Sequence, residues 1–78
     1  MFISSPYIYM HQGKIVEFTE RGSGYIREAG QKENLFFDSS DLKGVSFKDL
    51  RLGDTLQFLI TKSLKGSYAT DVSKSVKG

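Results

Sequence analysis

The chain has 78 residues, no cysteine, one histidine and a formal net charge of +2. That length makes one domain at most, burying only about 60% of the surface its unfolded form exposes, so a deep enclosed active site would compete with the core. Absent cysteine excludes disulfides and thiolate metal sites, and a small unstapled domain suits a reducing compartment, so the expected location is the cytoplasm. The small net charge means that any grip on a polyanion depends on where the charges sit.

Residues 1–12 carry no Asp, Glu, Lys or Arg, and every such charge lies from Lys14 onward. The shift predicts an uncharged arm over 1–12 and a compact domain over 13–78. Met1 to Met10 lacks the basic start and small-residue cleavage site of a signal peptide. The longest apolar runs, such as Leu56 to Ile60, fall far short of the ~20 residues that span a bilayer. A soluble protein without membrane contact is expected. Phe2, Ile3, Tyr7, Ile8 and Tyr9 around Pro6 suit an extended segment that pairs at a sheet edge or meets a partner.

Beyond Gly13 the apolar pattern has period two, with β-branched and aromatic residues bounded by Gly, Ser, Asn and Asp. Strands are predicted at Lys14–Phe18, Ser23–Glu28, Asn34–Asp38, Thr55–Thr61 and Ser67–Ser73. Short turns join the first three, a long connection runs from Ser39 to Asp54, and a hairpin through Lys62–Gly66 leads to the fifth. This unequal spacing predicts an all-β, five-stranded antiparallel Greek-key barrel.

In the second and third strands, alternation puts Ile26, Leu35 and Phe37 on one face and Ser23, Tyr25, Phe36 and Asp38 on the other. The interior takes the aliphatic set, which leaves Tyr25 and Phe36 side by side outside. A monomer gains nothing from large exposed rings there. Nucleobases are suited to such a platform, since stacking is worth ~1–3 kcal/mol per base and every base has a π-face. The plainer reading is that the rings cover a cross-strand position or a dimer contact.

Several segments resemble the cold-shock proteins and cold-shock domains. Arg21-Gly22-Ser23-Gly24-Tyr25-Ile26 is similar to that family's first RNA-binding motif, Lys-Gly-Phe-Gly-Phe-Ile, and Asn34-Leu35-Phe36-Phe37-Asp38 to its second, Asp-Val-Phe-Val-His. Gly13-Lys14-Ile15-Val16-Glu17-Phe18 resembles Gly-Thr-Val-Lys-Trp-Phe. The stretch Asp41-Leu42-Lys43-Gly44-Val45-Ser46-Phe47 and Leu52-Gly53-Asp54 fit the long loop, and Lys65 to Val72 fits the closing strand. The resemblance implies an OB-fold barrel that binds single-stranded RNA or DNA without catalysis, as an RNA chaperone or regulator of gene expression. Carried over by position, it implies stacking by Tyr25 and Phe36, a loop aromatic at Phe47, support from Phe18, a basic motif residue at Arg21, and phosphate contacts at Lys14 and Lys65.

The chain departs from the family pattern where Glu17 replaces the tryptophan, Ser23 the first motif's first phenylalanine, Asp38 the histidine and Ser39 the aromatic that often follows it. Three missing rings would remove on the order of 3–9 kcal/mol if their contributions added, and Glu17 and Asp38 repel phosphate. Binding weaker than the family norm is expected.

Other sites weigh less. Arg21-Gly22-Ser23-Gly24 lacks the Gly-Lys-Ser/Thr ending and following helix of a phosphate loop. His11, with no cysteine beside it, offers too few ligands for a tetrahedral metal and reads as a solvent-exposed side chain on the arm. The acids Glu17, Asp38 and Asp41 read as solvated turn and surface groups rather than an acid-base pair. No metal and no cofactor is expected. The alternative function is a protein-interaction or self-association module that uses residues 1–12 or the remaining apolar surface.

Overall fold

A computed structural model describes residues 10–75. Its strands are β1 (His11–Phe18), β2 (Ser23–Glu28), β3 (Leu35–Asp38), β4 (Thr55–Ser63) and β5 (Gly66–Lys74), with short 3-10 turns at Ser39–Asp41 and Phe47–Asp49. They close into a barrel in the order β1-β2-β3-β5-β4. The interior is filled by alternate residues of all five strands: Ile15, Ile26, Phe37, Leu56, Phe58, Ala69 and Val72, joined by Leu50 from the long connection. Full burial of each large side chain contributes about 1.5–3 kcal/mol. The barrel therefore follows from the period-two pattern, and β2 has the bounds expected of it.

Strand directions explain the one departure from an antiparallel barrel. β1 pairs antiparallel with β2 and with β4, β2 with β3, and β4 with β5. By parity β5 then runs in the same sense as β3, and the two pair in parallel, Phe36 beside Tyr68. A closed ring with an odd number of strands cannot alternate throughout. A second parallel bridge, Leu42 with Val72, extends this seam into the long connection.

Two irregularities bend the strands. Between Ile15 and Glu17 the β1–β2 register shifts, so Val16 and Glu17 both face outward. In β5, Leu59 pairs with Thr70 but Gln57 with Ser73, and Asp71 takes the left-handed backbone at φ 49°. Such bulges increase twist and help a short sheet close.

β1 begins three residues before Lys14, and His11 and Gln12 pair with Phe58 and Gln57 of β4. His11 is therefore not a free residue of an arm. Its Nδ1 lies 2.9 Å from Glu28 Oε2 and its ring stacks on Phe58 with centroids 6.0 Å apart. The proposed arm residues 1–9 lie outside the described residues.

Candidate nucleic-acid interface

Because Ile26 and Phe37 point inward, their neighbours Tyr25 and Phe36 point outward, and the β2–β3 register sets them directly opposite one another. Their rings meet edge to face, centroids 5.7 Å apart at 68°. Phe36 keeps 39% of its surface exposed. The row continues on both sides: Glu17 stands opposite Tyr25 on β1, Tyr68 beside Phe36 on β5, and Thr61 opposite Tyr68 on β4. Three rings thus cross three adjacent strands.

Glycine sets the height of this row. A Cβ at Gly24 would stand 2.6 Å from the Glu17 carbonyl oxygen and 2.9 Å from Phe37 Cε1, so only glycine lets β2 approach β1 this closely over the Phe37 ring. Gly22, at φ 77°, makes the left-handed turn that delivers the chain to β2.

Phe36 separates two concavities. One, of about 550 Å³, is walled by Thr19, Glu20, Arg21, Ser23, Phe36 and Asp38. The other, of about 370 Å³, is walled by Phe36, Tyr68, Asp41, Lys65, Ser63 and Ser67, with Gly66. Each holds one cation, Arg21 beside Glu20 and Asp38 in the first and Lys65 beside Asp41 in the second. Lys43 is held by Asp71 at 3.3 Å, Lys74 by Asp54 at 3.5 Å, and Arg27 Nε donates to Asn34 Oδ1 at 2.7 Å. Among the described residues, the side chains of Arg21 and Lys65 have no such partner. Lys14 lies farther along the same face, directly opposite Arg27, where the two cations and Val16 line a shallow depression.

The expected site residues therefore divide. Tyr25, Phe36, Arg21 and Lys65 come together, with Lys14 one outward pair further along. Phe18 and Phe47 do not join the row. They pack edge to face with each other, centroids 5.3 Å apart, Phe47 also meets Phe37 at 6.5 Å, and both rest against the core. The bulge at Val16 resets the alternation of β1, so Phe18 falls opposite Gly24 on the core side.

Ser23, expected on the outer face, is 4% exposed, covered by the β1–β2 loop and hydrogen-bonded through its hydroxyl to Thr19 Oγ1. Asp38 accepts from the backbone N–H of Ser40 at 2.9 Å. That hydrogen bond, with a second from the Ser40 side chain, holds the Asp38 carboxyl below its ordinary range, so it stays anionic beside Phe36. Glu17 is exposed.

Two contributors were missed from the sequence. Tyr68 is the neighbour of the buried Ala69, so alternation in β5 places it outside, and Arg27 follows Tyr25 by two residues on β2. Both signals are present in the strand pattern, but Tyr68 gains meaning only from the parallel pairing that sets it beside Phe36.

No helix among the described residues is long and apolar enough to cross a membrane. No curated protein sequence matches the chain. Among solved structures it is similar to Drosophila Unr CSD456, with a TM-score of 0.70 and 18% identity over 87% of this chain. The chain spans about a quarter of that structure's length, 27%, and the likeness is one of fold. The profile of the 'Cold-shock' DNA-binding domain family matches residues 11–75, from the first residue of β1 to just past the end of β5. That match covers most of the 78 residues, and the chain belongs to the cold-shock domain family, a nucleic-acid-binding fold.

Proposed function

We infer that the chain binds single-stranded RNA or DNA, without catalysis, by stacking bases on Tyr25 and Phe36 while Arg21 and Lys65 meet the flanking phosphates. The observation that carries this reading is the position of Phe36: a half-exposed ring, paired with Tyr25, with a cation in the hollow on each side whose side chain has no partner among the described residues. Aromatic platforms of this kind tolerate any base, and the cations add a salt-dependent attraction to the backbone. Lys14 and Arg27 extend the path along β1 and β2. Such a surface suits an RNA chaperone or a regulator that holds strands apart.

Affinity is set low by the same row. Glu17 and Asp38 place negative charge at the edges where two family rings would stack, and Ser23 is buried. Titration of a labelled oligo-pyrimidine at low salt tests the reading. Binding that weakens with salt and falls by about fivefold to a hundredfold in Phe36→Ala supports it. Unchanged NMR shifts at Tyr25 and Phe36 with near-millimolar ligand would overturn it, and a concentration-dependent mass without oligonucleotide binding would favour self-association instead.

A further inference from the structure

The hollow on the β5 side of Phe36 has features that base stacking on Tyr25 and Phe36 does not use. Its walls include a second ring, Tyr68, set beside Phe36 by the parallel β3–β5 pair. Lys65, in the β4–β5 hairpin, lines it with no ion-pair or hydrogen-bond partner for its amine among the described residues. Asp41 lines it too, at the end of the 3-10 turn Ser39–Asp41, and its carboxylate has no hydrogen bond or ion pair among the described residues.

We propose that this hollow is a nucleobase subsite, in which a base lies against Phe36 and Tyr68, Lys65 meets its phosphate, and Asp41 accepts a hydrogen bond from the exocyclic amine of the base. The proposal rests on the single-strand reading above and gives it a base preference. An ionised carboxylate only accepts hydrogen bonds. Cytosine offers it an N4 amine, and adenine and guanine also carry amines, whereas uracil and thymine present O4 at the corresponding position, and the one donor on that edge, N3–H, lies between two carbonyl oxygens that repel the carboxylate. An acidic wall therefore favours amine-bearing bases and repels O4 of uracil. The ring supply also moves: the row carries Glu17 in place of the family tryptophan on its β1 side, and carries Tyr68 on its β5 side.

The test uses the whole 78-residue chain with octamers of deoxycytidine and of deoxyuridine, which carry the same charge and differ at the base edge. The expected result is tighter binding of the deoxycytidine octamer by about threefold or more, the worth of one such hydrogen bond. Asp41→Asn removes that preference while the deoxyuridine octamer binds at least as well as before. Tyr68→Ala weakens both octamers by about fivefold to a hundredfold, as loss of one stacked base predicts, and Tyr68→Phe restores binding. In the unsubstituted protein the Tyr68 ring resonances shift on titration, a readout that needs no variant. Equal or tighter binding of the deoxyuridine octamer overturns the base preference. Unmoved Tyr68 resonances, with Phe36→Ala still weakening binding, overturn the subsite and leave the stacking reading intact. Binding indifferent to both rings overturns the two together.

Discussion

Gly24 lies directly over the ring of Phe37, and no side chain fits between them: a Cβ there would stand 2.9 Å from Phe37 Cε1 and 2.6 Å from the backbone oxygen of Glu17. The oxygen belongs to the neighbouring strand and cannot move aside as a flexible side chain could. Gly24→Ala is expected to cost about 1–3 kcal/mol through overpacking. In a domain of this size that lowers the melting temperature by several degrees or more, roughly 4–8 °C per kcal/mol, and a thermal melt by circular dichroism measures it. Tyr25, the next residue, should lose binding with it.

The adjacent phenylalanines of β3 should behave oppositely. Phe37 is fully buried and Phe36 is 39% exposed. Phe37→Ala should cost about 3–5 kcal/mol, a large share of the roughly 5–15 kcal/mol that stabilises a small domain. Phe36→Ala should cost about 1 kcal/mol, the edge-to-face contact with Tyr25, yet reduce oligonucleotide affinity by about fivefold to a hundredfold. Urea unfolding and a binding titration on the same two variants separate the roles.

Asp38 predicts a pH response. The hydrogen bonds from Ser40 lower its carboxyl in the folded state. Its contribution to stability is therefore complete above the ordinary value of about 3.9 and is lost as pH falls through the depressed folded value. The gap in urea midpoint between the natural protein and Asp38→Asn should be constant from pH 8 to pH 5 and close below pH 4. Because the charge persists across that upper range, Asp38→Asn should tighten oligonucleotide binding at every pH from 5 to 8. An increase of about threefold corresponds to removing one repulsive charge about 7 Å from a phosphate in water.

Asp71 holds a left-handed backbone inside β5, at φ 49°. Aspartate tolerates this better than most residues, whereas a β-branched side chain does not. Asp71→Val should cost about 1–3 kcal/mol, and Asp71→Gly should be close to neutral. Its ion pair with Lys43 is exposed, with relative side-chain exposures of 66% and 50%, and contributes at most about 1 kcal/mol. Equilibrium unfolding of both variants checks the contrast. Equal losses in the two would place the cost in the ion pair and not in the backbone.

What the amino-acid sequence determined by itself was everything that depends on neighbours along the chain. Alternation turned Ile26 and Phe37 inward and so turned Tyr25 and Phe36 outward; the glycines and short turns marked where β2 and β3 begin; the motif order carried the family resemblance. Tertiary structure decided what depends on pairing between distant strands. Whether Ser23 faces solvent depends on the Thr19 loop above it, and whether Phe18 joins the row depends on a one-residue bulge at Val16, which reverses every side chain beyond it. His11 became part of β1 because β4, more than forty residues away, pairs with it. The parallel seam follows from closing five strands into a ring, which no local pattern records, and it is that seam that sets Tyr68 beside Phe36.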